Sequence, residues 1–333
     1  MLYSSPTPRL DRTSGGLPVL LIDSTPDAQR WAAENRDAIR ATVTEQGSVM
    51  IRGLGLRDAA EAGAVFRQLA PAGLMIEKEA FASRQTHSHG VYSSSKWPAN
   101  QPMCMHHELS YLLQPPSLMM FACLSAPSTG GATAVADSTA VLDALPTGLV
   151  ERFDQQGWLL TRSYNEDLGA PFADAFGTDD RGTVETYCRA NSIEFEWQRD
   201  GGLRTWQRRT AVVPHPVTGR RCWFNQIGFL NEWTMAPEVH EYLVDVYGAD
   251  GLPFNTRFGN GDPIGEDVVQ LLNDAYEANT VREPWQAGDL LLVDNLRTAH
   301  SREPFTGPRD VVVGMGDSVR QADIRPTVGM STP

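Results

Sequence analysis

Residues 105–111 read MHHELSY, and two imidazoles beside a carboxylate are the side chains that hold a transition metal. His106 and Glu108 are two positions apart. On a helix that spacing puts them on nearly opposite sides; on a strand it puts both on one face and turns His107 to the other. The lead-in QPMCM contains a proline and no helix cap, so an extended run over Met103–Tyr111 is expected, with His106 and Glu108 able to share one ion. Two ligands do not complete a site, and a short HxE also fits a polar surface stretch. The best remote partner is His300, which follows an apolar strand and a short turn in GDLLLVDNLRTAHSREPFTGPRDVVVG. Rigid flanks of that kind can hold a ligand in place. Two histidines and one carboxylate on one side of an ion form the facial set of non-haem Fe(II) chemistry, which leaves positions open for a co-substrate and oxygen.

The elements that must position these groups are mostly strands. SVMIRG, SLMMFACL, ATAVAD, WLLTRSY, RTAVVPH, RRCWFNQ, DLLLVDN and DVVVGMGD have β-like composition, and Gly, Pro, Asn and Asp separate many of them. Helices are expected over STPDAQRWAAENRDAIRATV with a Ser24/Thr25 cap, over RDAAEAGAVFRQLA, and at about 139–155 and 182–190. APEVHEYLVDVYG and GEDVVQLLNDAYEA are further helical stretches, and HSHGVYSSSKWPANQP (87–102) reads as a loop leading into the histidine motif. Strands and helices do not alternate regularly, so a β-barrel or sandwich with helical insertions fits better than a doubly wound sheet. No linker divides the chain. One domain over 1–333 is expected, with a loose arm at 1–16 and a loose tail at 320–333.

Bulk properties narrow the partners. The 28 basic residues against 41 acidic ones give a net charge of −13, which argues against nucleic acid or an anionic membrane as the main partner. No run of 18 or more apolar residues occurs, so no spanning segment is expected. The N-terminus lacks an apolar core like that of a secretory signal, and the four cysteines form no CxxC pair. Reduced thiols and a cytoplasmic location are the expectation.

The two segments HHELSYLLQPPSLMMFACLSAPSTGGATAVADS and WQAGDLLLVDNLRTAHSREPFTGPRDVVVG resemble the taurine-dioxygenase-like family of Fe(II)/2-oxoglutarate oxygenases. Within it the likeness is to the syringomycin-biosynthesis-type, or clavaminate-synthase-like, branch. It runs from about SVMIRG to GMGD and includes GTVETYCRANSIEFEW and HPVTGRRCWFNQ. The resemblance implies a double-stranded β-helix (jelly-roll) core. It also implies that His106, Glu108 and His300 ligate Fe(II), and that Thr133 and Arg309 hold the distal carboxylate of 2-oxoglutarate. Arginine suits that task, because its planar donor fork matches a carboxylate and stays charged when buried. O2 is the other co-substrate.

For substrate the branch implies an amino acid, hydroxylated near its β-carbon in nonribosomal peptide or antibiotic biosynthesis, either free or presented by a peptidyl carrier protein. A retained Glu108 favours hydroxylation over halogenation, since related halogenases have a small residue there. Desaturation or cyclisation with the same cofactors, and a jelly-roll binding protein without turnover, are the alternatives. A zinc hydrolase would leave Arg309 unexplained. Relatives acting on free acids often carry a second arginine four positions after the first, but here that position is Val313. Either Arg162, Arg208 or Arg209 replaces it, or the substrate carboxylate is tied up as a thioester, which is the preferred expectation. His107 and Asn225 are further candidates for contact with substrate. His87, His89, His215 and His240 are expected in loop, turn or helix-surface roles, and Trp223, Phe224 and Trp285 in the core.

Overall fold

The computed structural model describes residues 9–12, 16–82, 84–165 and 169–324. Its largest sheet has eight strands, in the order Arg9–Arg12, Pro18–Leu21, Ser48–Arg52, Leu290–Asp294, Pro116–Ser125, Asp310–Ser318, Val91–Ser93 and Thr86–Ser88. Side chains alternate along the central strands, and both faces are buried there. Leu118, Met120, Ala122, Leu290, Leu292 and Val312 pack against Trp31, Ile39, Val43, Phe66 and Leu69 of two helices, Ala28–Gln46 and Ala59–Leu69. Met119, Phe121, Cys123, Leu291, Val293, Val311 and Val313 turn the other way, into a second core. That is why these strands read as continuous apolar runs.

The second core is closed by a four-stranded sheet, in the order Thr280–Val281, Val135–Asp137, Thr298–Arg302 and Met103–His106. Two facing sheets with the site between them are the jelly-roll core. A further sheet of Glu194–Trp197, Leu203–Arg209, Trp158–Tyr164 and Phe254–Phe258 is inserted between residues 137 and 290.

Several expectations are corrected. Arg9–Arg12 is not part of a loose arm; it pairs antiparallel with Pro18–Leu21, satisfying backbone groups at the sheet edge. The start of the tail is also docked. Gln321 lies in a short 3-10 turn and donates to Ser110 O and Leu112 O, while Ile324 is buried. Residues 1–8 and 325–333 lie outside the described residues. The first helix is capped by Asp27, which accepts from Arg30 N, and not by Ser24 or Thr25. The helix expected near 139–155 breaks at Pro146 into Ser138–Ala144 and Thr147–Gln156. The 87–102 loop begins as part of a hairpin, Thr86–Ser88 with Val91–Ser93. Trp223, Phe224 and Trp285 are buried as expected.

Candidate active site

His106 ends the Met103–His106 strand, and antiparallel pairing places its Cα opposite that of His300 on Thr298–Arg302. The strand stops there, so Glu108 does not share its face as expected. Glu108 enters a turn in which Leu109 adopts a left-handed conformation, φ 52°. The turn still returns the carboxylate to the imidazoles. Glu108 Oε2 lies 3.7 Å from His106 Nε2 and 3.4 Å from His300 Nε2. One ligand atom from each of the three residues falls within 4.8 Å of the others, and all three are buried.

The surroundings prepare these groups as ligands. His106 Nδ1 lies 2.9 Å from Cys104 O. A carbonyl only accepts, so Nδ1 carries a proton, and Nε2 is the nitrogen turned toward Glu108. Phe229 stacks on the His106 ring at 4.6 Å, and Phe121 lies against His300 at 5.1 Å. Burial, with the His106 charge adding, pushes the His300 pKa down to about 4, which keeps it neutral. Burial opposes ionisation of Glu108, but Arg84 and the two imidazoles outweigh it and hold its carboxyl well below the usual range. Arg84 Nη2 donates to Glu108 Oε1 at 2.9 Å, so one carboxylate oxygen is occupied and the other faces the histidines. Asn295 fixes the turn. Its Nδ2 donates to Glu108 O and Pro116 O, and its Oδ1 accepts from Glu108 N at 2.8 Å.

A cleft runs from His106, Glu108 and His300 past Phe121 to Thr133 and Arg309. Arg309 lies across the tight turn of Gly130 and Gly131, with φ of 65° and 69°. A Cβ on Gly131 would come within 2.8 Å of Pro127 Cγ and 3.2 Å of Arg309 Cδ, so GGAT is a shape the arginine requires. Arg309 Nε donates to Gly131 O, and Nη2 approaches Thr133 Oγ1 at 3.3 Å. Burial and Arg302 lower its pKa to about 10, yet no carboxylate among the described residues pairs with it. A half-buried cation without a counter-ion among the described residues, at the end of a cleft that begins at three metal-type side chains, calls for an anion from outside.

The description "Taurine catabolism dioxygenase TauD, TfdA family" matches residues 22–315. The chain belongs to this family. Dapdiamide synthesis protein DdaC of Enterobacter agglomerans is 31% identical over 300 residues, covering 90% of this chain and 91% of that one. A clavaminate synthase-like protein of Arabidopsis thaliana is 26% identical over 287 residues, with 81% and 82% covered. The solved structure of a taurine dioxygenase from Burkholderia xenovorans shares the fold at TM-score 0.53 and 16% identity, over 98% of this chain and 96% of that one. This TauD/TfdA-family chain is therefore an Fe(II)/2-oxoglutarate-dependent dioxygenase. Two imidazoles and an ionised carboxylate suit Fe(II), and the unpaired Arg309 suits a dicarboxylate. The cofactor, when bound, supplies oxidation of an unactivated carbon by O2.

Other sequence candidates lie elsewhere. His107 points into the core, where Nδ1 donates to Asn295 O at 2.6 Å and Nε2 meets Ser138 Oγ at 2.8 Å. Burial pushes its pKa down to about 3, and it is a structural histidine, not a substrate contact. Asn225 is spent on Ala211 O and Ile227 N. Arg209 binds backbone carbonyls of Tyr111, Ser192, Asn191 and Arg208, and Arg208 is exposed. Arg162 donates to Glu79 O and Ala80 O beneath the Phe81 ring. None of these five lines the cavity at the triad. His215 organises its turn, accepting from Val217 N and Thr218 N and meeting Asp294. His240 is half-buried and paired with Glu232, not free surface. No described helix is long and apolar enough to cross a membrane.

What sequence reasoning missed is Arg84, with Glu77 beside it and Gln226 opposite. All three line a cavity of about 400 Å³ that opens on His106 and Glu108. The only signal was the charged cluster EKEAFASR, and nothing in its spacing ties it to the histidines.

Proposed function

We propose that this oxygenase hydroxylates an amino acid in the biosynthesis of a secondary metabolite. The observation that carries this reading is the cavity of about 400 Å³, a size typical of small-molecule sites, bounded on one side by His106 and Glu108. Its walls are Trp97, Phe229, Phe81, Phe254 and Leu230, with Arg84 and Glu77 as a charged pair among them. An amino acid offers what such a cavity asks for, an apolar part and two charges. The similarity to a protein named for dapdiamide synthesis supports a role in secondary metabolism.

In this reading His106 Nε2, His300 Nε2 and Glu108 hold iron, and Arg309 with Thr133 takes the far carboxylate of 2-oxoglutarate. Arg84 keeps Glu108 ionised and turned toward the imidazoles. The retained carboxylate leaves no vacancy for a halide and favours hydroxylation. The aromatic walls exclude water and orient the carbon to be oxidised. The test supplies purified protein with Fe(II), 2-oxoglutarate, O2 and a panel of amino acids, free and carrier-loaded. Succinate release coupled to a gain of one oxygen in an amino acid is expected. Succinate release that no amino acid stimulates, in either form, overturns the reading; a loss of two hydrogens replaces hydroxylation with desaturation or ring closure.

A further inference from the structure

We infer that Arg84 and Glu77 together bind the carboxylate and the ammonium of a free α-amino acid, so that the substrate arrives untethered. This rests on the amino-acid reading above and names the form of that substrate. The charged groups lining the cavity are Glu77, Arg84 and Glu108, with His106 beside them. Glu108 and His106 are engaged as ligands, which leaves one cation and one anion.

Both are underused. The Arg84 side chain is 8% exposed and gives Glu108 a single hydrogen bond, while its Nε is buried without one. Glu77, 10% exposed, meets Arg84 Nε at 3.4 Å, and its carboxylate has no hydrogen bond among the described residues. A guanidinium has five N–H donors in a planar fork, and a carboxylate accepts at two oxygens. The loose Arg84–Glu77 contact therefore leaves donors and acceptors to which a zwitterion can add. Ammonium meets Glu77, carboxylate meets Arg84, and both charges are desolvated in matched pairs.

Position 313, four residues after Arg309, holds a buried valine and no anchoring cation. On sequence alone, that missing cation favours a thioester-tethered substrate. Arg84, 24 residues before Glu108, supplies the missing positive charge from a different element. A thioester would neutralise the carboxylate and leave Arg84 without an incoming anion. Gln226 Oε1, also buried without a partner and in a residue lining this cavity, is a further acceptor for the ammonium.

The experiment uses the full chain with Fe(II) and 2-oxoglutarate, and apolar α-amino acids as free acids, as α-amides and loaded on a carrier protein. Wild type should turn over a free acid faster than its amide or carrier-loaded form. Arg84→Met should raise KM for the free acid by about 30-fold or more and erase the preference over the amide. Iron content of Arg84→Met is measured alongside, because Arg84 also touches Glu108. Glu77→Gln, which touches no ligand, should raise KM for the amino acid and leave iron content unchanged. Faster turnover of the carrier-loaded form, or equal effects of Arg84→Met on acid and amide, overturns the inference while leaving an amino-acid hydroxylase. An unchanged KM in Glu77→Gln also overturns it. No product from any form removes the amino-acid reading, and this inference with it.

Discussion

Single residues set the protonation states on which the site depends. His107 and His300 are both held neutral by burial, with pKa values pushed down to about 3 and about 4. In an unfolded chain each titrates near 6.5, so below that pH the unfolded state binds more protons than the folded one. Stability is therefore full above pH 6.5 and is lost as pH falls through the window down to the folded values. The slope approaches about 1.4 kcal/mol per pH unit for each histidine. Urea unfolding of the metal-free protein between pH 7 and 5 should show this loss, and His107→Asn should remove about one proton from the linkage. A pH dependence unchanged by that substitution would show that His107 is not the neutral core residue described. Replacing His106 or His300 by Ala should abolish succinate formation and lower iron content; full activity with iron bound in His300→Ala would sink the ligand assignment.

At the scale of elements, the site is a register. The His300–His106 pairing across two short strands brings together residues far apart in sequence, and Asn295 ties the Glu108 turn to the strand end at Asp294. Asn295→Ala strands the Glu108 N–H and two carbonyls, and an unpaired buried group costs roughly 1–3 kcal/mol. The variant should lose about 2–4 kcal/mol in urea unfolding and bind Fe(II) more weakly; wild-type stability would mean that water replaces the side chain at no cost. The strands themselves were legible, because apolar runs such as SLMMFACL and DLLLVDN are buried on both faces. The convergence of His106 with Glu108 was anticipated for the wrong reason, since a left-handed turn at Leu109, and not strand alternation, achieves it. Arg84 was not legible: its partners Glu77 and Glu108 are set by a loop path that no periodicity encodes. Arg162 and Arg209 failed as substrate candidates because strand residues with long polar side chains can bind loop carbonyls instead.

For the whole molecule, two cavities meet at His106 and Glu108, beside the two facing sheets. Ligands that bind only the folded state stabilise it by mass action, about 2.7 kcal/mol at a hundredfold excess over Kd. Mn(II) as a redox-quiet stand-in should raise Tm, and 2-oxoglutarate should raise it further. Arg309→Gln should retain the metal increment and lose most of the 2-oxoglutarate increment. Equal responses in variant and wild type would remove Arg309 from co-substrate binding. Fold class was legible from the family motifs and strand composition, whereas the docking of Arg9–Arg12 and Gln321 depends on sheet edges that exist only after folding.

Strand order has a consequence for how the enzyme is made. Leu290–Asp294 lies between Ser48–Arg52 and Pro116–Ser125, and Asp310–Ser318 lies between Pro116–Ser125 and Val91–Ser93. The middle of the large sheet is thus completed by segments that leave the ribosome after its other strands, and His300 and Arg309 leave with them. A nascent chain holding only His106 and Glu108 has two of the three proposed ligands, no closed second core and no proposed co-substrate anchor. If these residues hold iron as proposed, iron loading is expected to follow folding of this sheet instead of guiding it. Ribosome-stalled chains ending before residue 290 should take up no iron, while chains with residue 324 outside the exit tunnel should take it up.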